Sequence, residues 1–202
     1  MTDKIINIDK HPEWYHDIPV MKTLILGSFP PHIDKRDYEF YYPNKQNNFW
    51  KIFSAISGIS LSDETKDEAV DKRKQIMETL NLGVQNMGKT IAREGNSSLD
   101  SKIKIIDFQD IEQIVKQHAE LKRIIIAGFS APNSTFGSFR RYLNEKGISK
   151  DLPKKVKPGD TFLVIIDKRE IECVICNSTS TATRINLDRL IAQFSKYVGK
   201  VE

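Results

Sequence analysis

The stretch "KTLILGSFPP", Lys22–Pro31, decides the fold of this chain. Its first half is a short, continuous apolar run that ends at Gly27, which is the pattern of a buried β-strand. A glycine allows a ligand to approach the backbone closely, and the prolines that follow stiffen the turn. The sequence therefore predicts a buried strand that leads into a rigid turn.

Outward from this strand, segments of helical periodicity alternate with short apolar strands. Helices are predicted over "NNFWKIFSAI", "KDEAVDKRKQIMETLNLG" (closed by Gly83), "DFQDIEQIVKQHAEL", "NSTFGSFRRYLNEKG" and "NLDRLIAQFSKYV". Further strands are predicted in "GVQNM", in "KRIIIAGF" and as a pair in "TFLVIIDKREIECVIC". Such alternation predicts an α/β domain with a mostly parallel central sheet and helices on both faces.

The length of 202 residues suggests one domain, which we place at residues 21–202. Residues 1–20 are polar and mixed, and we expect an arm or short helix tied on by Trp14 and Tyr15. Residues 92–98 are expected to form a surface loop.

The composition is that of an ordinary soluble globular protein, with 39% hydrophobic and 29% charged residues. No apolar run is long enough to cross a bilayer, and the N-terminus lacks the apolar core of a secretory signal. We therefore expect a cytoplasmic (intracellular) protein without a membrane partner. A net charge of +4 is compatible with a polyanionic partner but does not identify one.

Neither the cysteines nor the histidines predict a metal site. Cys173 and Cys176 lie three positions apart in a strand-like run, so they point to opposite faces and are interpreted as buried structural thiols. The four histidines show no ligand spacing.

Polar loops follow three of the predicted strands: "GSFPPHIDKRDYEFYYPNKQNN", "GFSAPNS" and "NSTSTATRIN". Ligand sites in open α/β sheets form outside the carboxyl ends of the strands, so these loops are expected to converge. None of them contains a Walker or dinucleotide-binding pattern.

Two of these loops carry residues suited to nucleic acid. In "YYPNKQNNFW" (Tyr41–Trp50), aromatic rings can stack on a nucleobase while amides contact its polar edge. Helix capping by the asparagines and core packing of Phe49 and Trp50 are the competing interpretations. In "NSTSTATR", hydroxyls and backbone amides suit phosphate contacts, although a cap for the last helix accounts for the same residues.

Taken in order, five segments resemble the uracil-DNA glycosylase superfamily, and most closely its branch of hypoxanthine-DNA glycosylases and mismatch-specific uracil glycosylases. They are "LILGSFPP", "YYPNKQNNFWKIF", "REGNSSLDSKI", "IAGFSAPNSTF" and "CNSTSTATRIN". The second is the most specific, and together they extend from about Lys22 to Leu190.

The resemblance implies a three-layer α/β/α sandwich around a short, mostly parallel sheet. It also implies removal of a deaminated base from double- or single-stranded DNA, by a monomer that needs no metal or cofactor. The carried-over residues are Asn47 for catalysis, Tyr42 for stacking, Gly27, Ser28, Phe29 and Pro30 for the base pocket, and Ser178, Thr179, Ser180 and Arg184 for DNA.

This chain departs from the family pattern at three places. Phe29 stands where many members carry Asn or Asp, as in the hypoxanthine branch, which leaves catalysis to Asn47. Asn44-Lys45 replaces a His-Pro pair, and Cys176-Asn177 replaces residues that in relatives include His, Asn and Pro. These changes leave the excised base open.

An asparagine cannot remove a proton at neutral pH, but it can orient a water and contact the base. That can suffice if the base departs first as an anion, stabilised by backbone donors worth roughly 3 kcal/mol each. Acids of the same loop, Asp34, Asp37 and Glu39, are an alternative for activating the water. A non-catalytic nucleic-acid-binding relative and a nucleoside hydrolase are the alternative functions.

Overall fold

The computed structural model describes residues 5–62, 64–65, 68–148 and 152–199. Its strands are β1 (Ile6–Lys10), β2 (Thr23–Gly27), β3 (Leu82–Asn86), β4 (Gly88–Glu94), β5 (Ile103–Phe108), β6 (Arg123–Ala127), β7 (Thr161–Ile166) and β8 (Arg169–Cys176). Its α-helices are α1 (Phe49–Ser57), α2 (Glu68–Thr79), α3 (Ile111–Gln117), α4 (Thr135–Glu145) and α5 (Leu187–Phe194).

The central sheet has the strand order β3-β2-β6-β8-β7. The first four strands are parallel, and the predicted strand pair forms a hairpin in which β7 lies antiparallel to β8. Every residue of β2 is buried, because the strand lies between two others in a sheet flanked by helices. The predicted α/β class, with a short and mostly parallel central sheet, is confirmed.

Helix α1 anchors the polar loop that precedes it. Phe49, Trp50, Ile52 and Phe53 form its buried face, as the helical periodicity predicts. Downstream, Ser134 caps α4 by accepting a hydrogen bond from the Gly137 N–H.

The predicted end of α2 at Gly83 is wrong. The helix ends at Thr79, and Asn81 takes the left-handed conformation (φ 50°) that reverses the chain. Gly83 lies inside β3, where a Cβ would stand 2.4 Å from the Met21 sulfur. The first two predicted residues of α2, 66 and 67, lie outside the described residues.

A second sheet, antiparallel and of order β1-β4-β5, was not predicted. Strand β4 occupies the start of the expected surface loop at 92–98, and β1 pairs with it from Ile6–Glu94 to Lys10–Thr90. The N-terminal segment is therefore a strand rather than a short helix.

Trp14 and Tyr15 tie the N-terminal segment to the rest of the chain, as predicted. Trp14 is buried, and the Tyr15 hydroxyl lies 3.1 Å from His118 Nε2. The domain boundary at residue 20 stays a prediction.

Cys173 and Cys176 are free thiols, both fully buried. Burial raises the pKa of Cys176 to about 12 and also raises the pKa of Cys173. Within the described ranges, no His, Cys, Asp and Glu side chains cluster in a way that could hold a metal ion. No helix in that part of the chain is long and apolar enough to span a bilayer.

Candidate active site

The three polar loops converge at the carboxyl edge of the central sheet, as predicted. The Asn48 N–H donates to the Thr179 carbonyl at 3.1 Å, which joins the loop before α1 to the loop after β8. The Gly128 N–H, at the exit of β6, donates to the Cys176 carbonyl at 3.2 Å.

The turn after β2 is held by the chain that leads from β3 into β4. The Gly27 carbonyl accepts from the Met87 N–H at 2.8 Å, and the Ser28 carbonyl accepts from the Gly88 N–H at 3.1 Å. With both carbonyls engaged, the turn is fixed before any ligand arrives.

Tyr42 forms an aromatic platform beside this turn. Its ring stacks on Phe49 with centroids 3.7 Å apart and planes 8° from parallel. The hydroxyl reaches the end of β2, since a Cβ on Gly27 would stand 2.7 Å from Tyr42 Oη. Burial, and secondarily the charge of Asp100, raise the pKa of Tyr42, so its hydroxyl is neutral.

Two hydrogen bonds hold the platform in place. Tyr42 has a left-handed backbone (φ 49°), which is costly for a bulky residue. Tyr38 Oη donates to the Tyr42 carbonyl and Trp50 Nε1 donates to the Tyr41 carbonyl, both at 2.7 Å. The Arg73 guanidinium lies 4.1 Å above the Tyr38 ring.

Asn47 lies two residues before α1 and is partly buried. Its Oδ1 accepts from the Phe49 N–H at 2.9 Å, so the capping interpretation describes part of its role. Asn48, at the formal cap position, makes no side-chain capping bond. Among the described residues, Asn47 Nδ2 has no hydrogen-bond partner and is available to a ligand.

The residues that replace the family's His-Pro pair shape the turn before Asn47. Asn44 Oδ1 accepts from the Gln46 N–H at 2.8 Å, and the Lys45 N–H donates to Asp37 Oδ2 at 2.7 Å. In the last loop, the Asn177 amide is turned towards α5, where Nδ2 donates to Gln193 Oε1 at 3.1 Å.

The hydroxyl residues of the loop after β8 differ in how far they are exposed. Thr179 is buried, and its carbonyl serves the loop junction with Asn48. Ser178 Oγ accepts from the Ser180 N–H at 3.3 Å, and both residues are partly exposed. Arg184 is exposed at a left-handed position (φ 54°), in keeping with a contact outside the pocket.

Phe29 and Pro30, which are predicted to line the base pocket, directly follow the Gly27–Ser28 turn and are both buried. Phe29 is buried, and its ring meets His11 edge to face with centroids 5.7 Å apart. The Pro30 carbonyl accepts from Arg93 Nη2 at 2.9 Å. Arg93, which the sequence analysis did not single out, is fully buried.

Asn86, at the end of β3, lies beside Gly27 and was not predicted. Its Nδ2 lies 3.0 Å from His11 Nε2, and His11 Nδ1 lies 2.5 Å from the Pro12 carbonyl. Burial lowers the pKa of His11 to about 4, so the ring is neutral, donates through Nδ1 and accepts from Asn86 through Nε2. This leaves Asn86 Oδ1 facing Gly27, 2.5 Å from the position of a Cβ. Ligand sites in open α/β sheets form at the carboxyl ends of the strands, and the same expectation applied to "GVQNM" would have found Asn86.

Replacing Gly27 by alanine is expected to distort the pocket. The new methyl would overlap Asn86 Oδ1, held by His11, and Tyr42 Oη, held by its stacking on Phe49. We expect a loss of stability of about 1–3 kcal/mol, typical of overpacking, and loss of ligand binding at the pocket. Circular dichroism melting and fluorescence titration with deaminated oligonucleotides measure the two effects.

Gly83→Ala is the matched control for Gly27→Ala. It inserts the same methyl at the opposite end of the neighbouring strand, against the flexible Met21 side chain. It should lower stability without weakening binding. Equal binding by Gly27→Ala and Gly83→Ala would contradict the placement of the pocket at Gly27.

The order and direction of the strands, with helices flanking the sheet, give a uracil-DNA glycosylase-like α/β fold. A solution NMR structure from Methanosarcina acetivorans, of a protein described as a candidate uracil DNA glycosylase, superimposes with a TM-score of 0.60. The superposition covers 96% of both chains at 21% sequence identity, which establishes the shared fold.

A curated hypoxanthine DNA glycosylase from the same archaeon is 32% identical over 97 residues. The match covers 46% of this chain and 57% of that protein, so this chain spans little more than half the length of its relative. No family model matches the chain. The two similarities confirm the resemblance to the uracil-DNA glycosylase superfamily, hypoxanthine branch.

Proposed function

We propose that this protein is a monofunctional DNA glycosylase that hydrolyses the N-glycosidic bond of a flipped-out deaminated base, uracil or hypoxanthine, and leaves an abasic site. The observation that carries the proposal is the stack of Tyr42 on Phe49 beside Gly27, together with Asn47, whose Oδ1 accepts from the N–H of the same Phe49. The sequence similarity to a hypoxanthine DNA glycosylase supports it.

The pocket chemistry supports a deaminated base. Deamination turns the ring nitrogen next to the altered carbon from an acceptor, in adenine or cytosine, into an N–H donor. Asn86 Oδ1, directed at Gly27 by its bond to His11, is an acceptor suited to that N–H. Flipping costs a few kcal/mol and least at a mispair, which further favours lesions.

Departure of the base as an anion calls for donors around it. Asn47 Nδ2 is one available donor. The Phe29 N–H is another, because no acceptor for it occurs among residues 5–62, 64–65, 68–148 and 152–199. Each such donor, held rigidly before the reaction, is worth roughly 3 kcal/mol of transition-state stabilisation. In this proposal Ser178, Ser180 and Arg184 contact the DNA strand, and no metal or cofactor takes part.

Duplexes that carry uracil, hypoxanthine or xanthine opposite each normal base, with the matching single strands, test the proposal. Abasic sites that break only after alkali or heat, formed in the presence of EDTA, are the expected product. Strand cleavage without alkali would contradict the monofunctional assignment, and no excision from any substrate would contradict the activity.

A second function, a non-catalytic DNA-binding relative, is favoured by two observations. Asn44-Lys45 occupies the His-Pro positions as a plain turn, and Asn47 Oδ1 is engaged by the helix. This alternative predicts salt-sensitive DNA binding without excision. Cleavage of free inosine or uridine, with DNA left intact, would instead indicate a nucleoside hydrolase.

A further inference from the structure

Asp100 places a carboxylate against the predicted base pocket. It begins a one-turn helix between β4 and β5, and its side chain is partly buried. Ser28 Oγ donates to Asp100 Oδ1 at 2.7 Å, and Ser28 directly follows Gly27 at the exit of β2. The charge of Asp100 also helps to raise the pKa of Tyr42, so the carboxylate is close enough to act on that residue.

No cation neutralises this carboxylate in the part of the chain that the structure describes. Its hydrogen bond comes from the neutral Ser28 hydroxyl, and Oδ2 meets no donor there. Burial raises the pKa of Asp100, and the Ser28 bond opposes that rise only in part. A partly buried carboxylate without a counter-charge is costly to folding and is often a functional group.

The three acids of the loop before α1 are engaged elsewhere. Asp34, with a side chain 65% exposed, accepts from Asn96 Nδ2 at 3.0 Å. Asp37 accepts from the Lys45 N–H, and Glu39 pairs with Arg36. All three acids are therefore held at the surface by these partners. None of the three carboxylates contacts Gly27, Ser28 or Tyr42.

We propose that Asp100 is a catalytic residue, the general base that accepts a proton from the attacking water. This inference rests on the glycosylase function proposed above. The water oxygen bonds to C1′ of the deoxyribose as the C1′–N bond breaks, and that bond's electron pair leaves with the base. Asp100 Oδ2 takes one water proton and later returns it to the base anion or to solvent. Asn47, which cannot take a proton, orients the water and the base.

Asp100→Asn tests the proposal in a single-turnover excision assay across pH. The substitution keeps the shape of the side chain and the acceptor for Ser28, but removes the base. General-base catalysis typically contributes about 100- to 10,000-fold, and we expect a loss in that range. The wild-type rate should fall at low pH, because a protonated Asp100 cannot accept a proton. Since the pKa of Asp100 is raised, this acid limb of the pH profile should lie above the pKa of an ordinary aspartate, about 4. In Asp100→Asn the acid limb should be absent.

Two further variants separate catalysis from folding. Asp167→Asn, a matched change at an exposed acid in the β7–β8 turn, where asparagine also tolerates the positive φ, should retain the wild-type rate and pH profile. Asp100→Ala should regain excision when formate is added, because a small carboxylate can occupy the vacated space. The folded-state pKa of Asp100 is raised, so its ionised form costs stability above that pKa, and Asp100→Asn should melt no lower than wild type at neutral pH.

The outcomes are distinguishable. Excision by wild type together with an unchanged rate and acid limb in Asp100→Asn overturns the role of Asp100 and leaves the glycosylase function standing. A reduced rate with an unchanged acid limb and no formate rescue also overturns it, because that result fits a structural residue. Absence of excision by the wild-type protein overturns both proposals.

Discussion

Asn47→Ala should lower the rate of base excision by about 100- to 1,000-fold, the usual effect of removing one oriented hydrogen-bonding group from a catalytic site. The substitution removes Nδ2, the group available to a ligand, together with the Oδ1 that accepts from the Phe49 N–H. Single-turnover excision of hypoxanthine and uracil measures the loss.

Capping and catalysis must be separated at this residue, because Asn47→Ala also removes a helix contact worth about 0.5–2 kcal/mol. Asn47→Ser retains a capping oxygen but lacks the amide donor, so it should keep most of the stability and still lose the activity. Asn48→Ala changes a neighbouring amide that makes no capping bond and serves as the control. Full activity in Asn47→Ala would refute the catalytic assignment.

The central sheet and its helices were predictable because their signals are local. The apolar run of β2 and the spacing of the buried residues of α1 each lie within one element. The end of α2 was predicted wrongly at Gly83, because a glycine after a helical segment commonly marks the end of the helix. Here Asn81 takes the left-handed conformation that usually falls to glycine.

The second sheet was missed because its signals are not local. In "GKTIARE" the only long apolar side chain is Ile91, so the segment does not show the alternation of a strand. Its partner β1 is contributed by residues more than 80 positions earlier, as the Asp9–Arg93 contact shows. Arg93 is fully buried there, which composition would not suggest for an arginine.

The candidate site was predictable in part for the same reason. Tyr42 and Asn47 follow from a contiguous motif. Asp100 meets Ser28 across 72 positions and Asn86 meets His11 across 75, so both contacts depend on chain pairings that no local pattern specifies. The "REGNSSLDSKI" motif contained both Arg93 and Asp100, but a resemblance alone did not say what either side chain touches.

Asp9→Ala should destabilise the protein by about 3–5 kcal/mol, because it leaves a buried guanidinium without its carboxylate. Arg93 Nε lies 2.6 Å from Asp9 Oδ2, with side chains 0% and 26% exposed. The same guanidinium donates to the carbonyls of Pro30 and Ser97, so it links β1, β4 and the turn after β2. Chemical denaturation monitored by circular dichroism measures the change.

A double-mutant cycle distinguishes a buried pair from a merely crowded site. Arg93→Met combined with Asp9→Ala should cost less than the sum of the single changes, since neither charge is then left alone. Lys102→Ala is the matched control, because Lys102 pairs at 3.2 Å with Glu94, the neighbour of Arg93, at the surface. That pair is expected to contribute about 0–1 kcal/mol. If Asp9→Ala instead changed the free energy of unfolding no more than Lys102→Ala does, that result would show that the buried pair does not fix β1 and the Pro30 turn. The turn after β2 would then be held by the hydrogen bonds from the Met87 and Gly88 N–H groups alone.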